Sequence, residues 1–393
     1  MTNIYLEPKP RYEILDGLRG VAAIIVVAYH LIECYPAQLT TKFFSHGYLA
    51  VDFFFALSGF VIGYAYDDRW KKMNTLDFIK RRITRLHPLV IFGTFLGVCF
   101  FYYSGSIDLF DKVDSAAWWM VLLQGFITMC IIPLPVSMDI RGWGEITSIN
   151  APIWTLMYEY IANILYAFVF RHLNNFILSI LVVITAIFTA DCCLRLNIWG
   201  ILVSDWNSFT VIGGYILNPE HIYIGFVRLL YPFLVGLLLS RIGKSIKMRN
   251  GFLVTSILII IMLCVPTLGG ENKLIDGIYQ LICILFLFPL IISIGAGSVI
   301  EKNKTIKLCY FLGEISYPLY ITHFPLMYMH TSWAHRHPDA PVSTHIFVAV
   351  STFIIAVGIA WASLKLYDEP VREWLKNHWL QKREKSSFYK KTL

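Results

Sequence analysis

The chain has 393 residues, of which 57% are hydrophobic and only 15% charged. Soluble domains carry about a quarter charged residues, so a string of soluble domains is excluded and a single polytopic membrane bundle is expected. The net charge of +7 does not call for a nucleic-acid partner, because the basic residues concentrate in short loops and the tail, as the positive-inside rule requires.

Apolar runs near the length of about 20 residues needed to cross a bilayer fall at 18–35, 47–66, 86–104, 115–133, 152–170, 175–193, 224–240, 251–268, 275–295, 311–330 and 344–366. The fold class read from this pattern is an all-α polytopic membrane protein. Lys71, Lys72, Lys80, Arg81, Arg82 and Arg85 place the second connection in the cytoplasm; the basic loops at 241–249 and 302–307 and the basic tail do the same for theirs. Both termini are then cytoplasmic, which eleven full crossings cannot satisfy. The expectation is a bundle of about ten transmembrane helices plus one irregular or re-entrant segment between residues 86 and 223. Either 115–133 is partial, which is preferred, or Trp206–Leu217 adds a short crossing. The 134–151 loop and the 194–223 segment then lie outside and cap the bundle. Residues 1–370 form the membrane domain and 371–393 a basic cytoplasmic tail.

Met1 to Arg11 is polar and the first apolar run continues as a helix, which argues against a cleavable signal peptide. The eight cysteines lack CxxC spacing and read as small buried hydrophobes, with no metal site. Most of the 22 tyrosines and 11 tryptophans read as interfacial belts.

Against this apolar background the ionisable residues inside the runs are candidates for function. The first helix carries Asp16, Arg19, His30 and Glu33. Arg19 and His30 are eleven residues apart, on one face, with a rise of about 16 Å between them. Glu33 is one turn beyond His30, where it can orient the ring or raise its basicity. Arg82 and Arg85 share a face at the lip of a later helix and present planar forks suited to phosphate. Asp52, near the outer end of the second run, needs a histidine or arginine partner, whereas Ser58-Gly59 reads as close helix packing. Glu159, inside another run, needs an arginine or a substrate hydroxyl. Pro318 is expected to kink or break its helix ahead of His323, a second intramembrane histidine. Tyr367 to Arg372 reads as a helix exit onto the membrane surface. No Gly-x-Ser-x-Gly, Walker loop, His-Glu-x-x-His or GxGxxG is present, so soluble hydrolase, nucleotide-hydrolysing and zinc-protease readings have nothing to rest on.

Several ordered fragments resemble the acyltransferase-3 family of integral membrane O-acyltransferases. They are LDGLRG (15–20) with His30, VDFFFALSGF (51–60), the RxxR of Arg82 and Arg85, Asn150 with Trp154 and Glu159, Arg228 with Phe233 and Gly236, LGEISYPLYITHFP (312–325) and DEPVREWL (368–375). The chain departs from the family pattern at Ala50 before Val51, at His87 where tyrosine is commoner, and at Thr155 in place of serine. The resemblance implies a bacterial inner-membrane enzyme that O-acylates a carbohydrate or glycolipid outside the cytoplasm. It implies acyl-CoA, usually acetyl-CoA, as donor, with its phosphates near Arg82 and Arg85 and its pantetheine arm reaching toward His30. His30 then acts as base or transient acyl carrier, Arg19 holds the donor or stabilises charge, and Glu159 is a buried acid of undecided role. The rival is a transporter or flippase for a glycan or lipid-linked substrate, against which no paired inverted repeats are seen.

Overall fold

The computed structural model describes residues 9–35, 44–205, 208–243, 245–270 and 272–380. Among these residues there is no strand; twelve helices carry the architecture: α1 Glu13–Glu33, α2 Ala50–Tyr66, α3 Thr75–Ser104, α4 Trp118–Met129, α5 Ile153–Phe168, α6 Asn175–Leu194, α7 Pro219–Ile242, α8 Gly251–Cys264, α9 Lys273–Gly297, α10 Asn303–Thr322, α11 Phe324–Arg336 and α12 Val342–Leu380. Eight of them (α1, α2 with its leading turn, α3, α5, α6, α7, α9 and α12) are long and apolar enough to cross a membrane. α4, at 12 residues, rises only about 18 Å and is too short to cross alone. The alternative crossing at Trp206–Leu217 forms no helix over its described residues, 208–217; residues 206 and 207 lie outside them.

Two tight contacts organise the bundle. α1 packs along α10, and α2 packs along α7. A Cβ on Gly20 would collide with the Leu312 carbonyl, and one on Gly59 with the Phe233 carbonyl. Small residues thus let each pair of backbones touch, which is how helices associate where no water drives them together. α3 starts at a capping box in which Asn74 and Asp77 exchange side-chain and backbone hydrogen bonds, and this sets where its arginines leave the surface.

The expected break at Pro318 occurs one turn later. Pro318 lies inside α10, and the helix stops at His323. The breaker is Pro325, whose missing N–H would have bonded the Ile321 carbonyl. Asn150 Nδ2 donates to that carbonyl instead, at 2.9 Å, so the freed group is satisfied from outside its helix.

The two long connections expected to cap the bundle are joined to each other, since Ile146 N donates to Tyr215 O at 2.8 Å. Within the first, Asp139 accepts from the backbone amides of Arg141, Gly142 and Gly144 and from Ser148 Oγ. Burial disfavours the ionised Asp139 carboxyl, but these bonds outweigh it and hold the group below the usual carboxylate range. α12 passes straight through the expected boundary at 370 and stays helical to Leu380; residues 381–393, most of the expected tail, lie outside the described residues.

Candidate active site

The ionisable residues gather at two ends of α1. At the C-terminal end, His30 Nδ1 lies 2.7 Å from Glu33 Oε2, the contact that one-turn spacing favours. With Nδ1–H donated to the carboxylate, the basic lone pair belongs to Nε2. Tyr29 donates to the other Glu33 oxygen at 3.2 Å. The His30 ring stacks on His323 with centroids 5.6 Å apart and planes at 29°, and Phe324 meets it edge-on at 5.0 Å.

His323 is 0% exposed. Its Nδ1 donates to the Tyr320 carbonyl at 2.8 Å, also lying 3.1 Å from that of Leu319. Its Nε2 has no partner among the described residues. Such an orphan in a dry interior costs about 1–3 kcal/mol, and it lies on the ring that packs against His30. The helix break brings these two imidazoles together.

The other end collects the arginines. Arg19 Nε donates to Ser316 Oγ at 2.9 Å, Nη2 donates to the Gly313 carbonyl at 3.2 Å, and the same nitrogen meets Asp16 Oδ1 at 3.2 Å. Arg19 is therefore anchored on α10, about three turns from His30. Arg82 is nearly buried, and its Nη2 donates to Glu159 Oε1 at 2.8 Å. Ser58 Oγ donates to the same oxygen at 2.7 Å, so Ser58 does more than pack.

Arg85 differs from its partner. It stands within electrostatic reach of Arg19, Arg82 and Asp16 and is ringed by protein, yet its side chain is open to solvent. Among the described residues it has no ion-pair partner. Tyr29, Tyr48 and Tyr317 share this half-open character.

Asp52 joins neither group. It pairs with Arg228 Nη2 at 2.8 Å, with the two side chains 0% and 2% exposed. Arg228 also donates to the Tyr48 carbonyl at 2.7 Å, tying α2, α7 and the chain before α2 together. Helical spacing pointed to Glu33, but three further residues were not legible locally. Ser58 read as packing. Asp368 read as surface, yet it is buried and lies within reach of Arg85, with Arg372 on its Oδ2 at 2.8 Å. Glu145 sits in an irregular loop with no periodicity to mark it. Among the described residues no cluster of His, Cys, Asp and Glu suits a metal ion.

A part-exposed histidine–carboxylate pair thus stands at one end of a membrane helix and an open arginine near the other. A family model described as "Acyltransferase domain" matches residues 12–363, and the chain belongs to that family, the acyltransferase-3 enzymes of the membrane. It is similar to "Protein 2 in picA locus" of Rhizobium radiobacter, 32% identical over 169 residues, 41% of this chain and 83% of that protein. It is also similar to O-acetyltransferase OatA of Staphylococcus aureus strain NCTC 8325, 24% identical over 389 residues, 93% of this chain and 58% of that protein. The chain thus spans little more than half the length of OatA. No solved structure matches.

Proposed function

We propose that the chain is a bacterial inner-membrane O-acyltransferase, moving an acetyl or short acyl group from cytoplasmic acyl-CoA to a hydroxyl of an extracytoplasmic carbohydrate. The observation that carries this reading is the His30–Glu33 pair at 2.7 Å, stacked on His323 at the far end of the helix that carries Arg19. In this reading the bundle has ten crossings: the eight long helices, α8, and α10 with α11 as one broken crossing. α4 is the partial segment, and both termini are cytoplasmic.

Arg85 receives the donor's phosphates through the open side of its guanidinium. Arg82 lines the same lip, but its geometry is set by Glu159, which makes Glu159 a positioning residue. Arg19 holds the donor end of the site from its anchor on α10. Its distance from His30 along the helix argues against charge stabilisation at the reacting carbonyl. The acyl thioester reaches His30 on an extended pantetheine arm.

For direct transfer, His30 Nε2 accepts the proton of the acceptor hydroxyl while its oxygen attacks the thioester carbonyl. The C–O bond forms, the C–S bond breaks, and the proton passes to the departing sulfur. In the two-step variant Nε2 carries the acyl group between donor and acceptor. Glu33 holds the reactive tautomer in both.

Purified protein in detergent, supplied with acetyl-CoA, should release CoA, and His30→Ala should abolish the release while leaving CoA binding intact. Movement of a substrate across proteoliposomes with no thioester turnover would refute the enzyme and favour a transporter. A peptide carrying acetylated His30 after a rapid quench would select the two-step route.

A further inference from the structure

The C-terminal ends of α2 and α7 and the turn from α5 to α6 enclose an open groove of about 510 Å³, within the range of about 300–1,000 Å³ that small-ligand sites occupy. Its charged walls are mostly closed pairs. Arg241, near the end of α7, donates through Nε to Asp67 Oδ2 at 2.7 Å, through Nη1 to the Leu173 carbonyl at 2.8 Å and through Nη2 to the Phe170 carbonyl at 3.1 Å. The other Asp67 oxygen accepts from the Tyr166 hydroxyl at 2.7 Å. Lys9, ahead of α1, donates to the Tyr64 carbonyl at 2.6 Å and to Asp68 at 2.8 Å. Both carboxylates that line the groove are therefore matched by cations of their own.

A third cation is left over. Arg171 has no acidic partner among the described residues. Its guanidinium carbon stands 3.8 Å from the Trp70 ring centroid, and Trp70 is itself held by its Nε1–H on the Tyr166 hydroxyl at 3.2 Å. A cation–π contact fixes where a guanidinium sits without satisfying its N–H groups, and Arg171 Nε is buried with no acceptor among the described residues. Ser240 and Asn175 also line the groove, and among the described residues neither side chain has a hydrogen-bond partner. Asn175 is the first residue of α6, so the positive end of that helix stands beside Arg171. The groove is thus a built cationic site with unpaired donors.

What lies outside it is apolar. α6 is an outer helix, with 33% of its apolar stretch buried. Phe176, next to Asn175, is 74% exposed, and Ile177 and Ile242 are each 43% exposed. A cationic groove opening onto a bare apolar helix has the two-part chemistry of a phospholipid. We propose that it binds the headgroup of an anionic phospholipid: the phosphodiester on Arg171 and the start of α6, the polar head against Ser240 and Asn175, and the acyl chains along Phe176 and Ile177. Occupied, the groove ties the ends of α2, α6 and α7 together. On α2, Ser58 turns to Glu159, whereas Gly63 turns to Leu237 and Ser240 of α7. The groove therefore lies on a different side of α2 from the Arg82 pair, and binding there is independent of acyl transfer.

The test titrates the full-length chain in neutral detergent micelles with dioleoyl phosphatidylglycerol, dioleoyl phosphatidylcholine or inorganic phosphate. Thermal unfolding and native mass spectrometry report binding, and a separate CoA titration reports the donor site. Phosphatidylglycerol should raise the unfolding temperature of the native chain and phosphatidylcholine should not. Arg171→Gln and Asn175→Glu should each bind phosphatidylglycerol about tenfold more weakly, the worth of one charge-assisted hydrogen bond, with CoA affinity native. Lys304→Gln, at an exposed site on α10, should match the native chain. A glutamate in the first turn favours its helix, so Asn175→Glu keeps the test open should Arg171→Gln unfold. Native phosphatidylglycerol affinity in Asn175→Glu overturns the site. So does an equal response to phosphatidylcholine, which leaves only apolar contact, or an equal loss in Lys304→Gln, which leaves only diffuse surface charge. Competition by inorganic phosphate or CoA, with CoA affinity falling in Arg171→Gln, overturns the lipid and gives the groove to a free phosphate ligand. Failure of the native chain to bind CoA counts against acyl transfer and leaves the lipid titration standing.

Discussion

Replacing Glu159 with alanine strands a cation inside the bundle. The Arg82 side chain is 6% exposed and its ion-pair partner is that carboxylate, at 2.8 Å. Removing one member of a buried pair costs about 3–5 kcal/mol, because the remaining charge keeps its desolvation penalty and loses its compensation. Ser58 loses its acceptor as well, which adds about 1 kcal/mol. Removing both charges as Arg82→Met/Glu159→Met eliminates the penalty, and such replacements are often neutral or better. Equilibrium unfolding in mixed micelles, with rising SDS fraction and tryptophan fluorescence as the signal, measures all three proteins. The single variant should be destabilised by about 4 kcal/mol and the double variant by less than about 1 kcal/mol. CoA affinity should fall in both, since Arg82 is displaced in one and absent in the other. A single variant within about 1 kcal/mol of native, or a double variant no better than the single, refutes the argument that this pair is a desolvated structural unit.

Glu33→Gln should keep the protein folded and its CoA affinity native, while CoA release falls to a level between native and His30→Ala; His30→Ala itself should lose at least about 10²-fold, the smaller end of general-base contributions. The capping loop should make stability pH-dependent through Glu145. Its carboxyl moves from an ordinary value of 4.5 to about 8 in the folded chain, so the folded state binds that proton more tightly than the unfolded state. The stabilisation is complete below about 4.5 and is lost as pH rises through about 8, at about 1.4 kcal/mol per pH unit within that window. Glu145→Gln should flatten that part of a stability–pH curve. Gly20→Leu should separate α1 from α10 at the Leu312 carbonyl, costing about 1–3 kcal/mol as overpacking and weakening CoA binding through Arg19; Gly358→Ala, where an added Cβ meets nothing, is the control.

Much of the candidate site was legible locally, for a physical reason. In hydrocarbon every ionisable side chain is costly, so His30, Asp52, Glu159 and His323 stand out from apolar runs, and helical spacing alone brings Glu33 to His30 and Asp16 to Arg19. What spacing cannot supply is the partner on another helix. That Glu159 serves Arg82, that Asp52 serves Arg228, and that Ser58 donates where packing was expected all depend on contacts between residues 77 to 176 positions apart. The burial of Asp368 was missed because its helix runs on to Leu380 alongside α3 where a surface exit was expected. Glu145 was missed because loops have no period, and only the folded cap brings it to Glu33.

By itself the sequence determined the membrane class, the order of the apolar segments and which polar groups stand out inside them, because hydrophobicity and helical period are local properties of the chain; the helix ends it missed by up to 14 residues, and it read 311–330 as one run where two helices stand. The tertiary structure decided which of those groups meet. It moved the helix break from Pro318 to His323, where Asn150 satisfies the carbonyl that Pro325 frees. It committed Arg82 to Glu159 while leaving Arg85 open, and it folded an aperiodic loop over His30. Each of these is a contact between distant segments, and in a bundle held by close helix approach and buried polar pairs such contacts are set only when all the helices are in place.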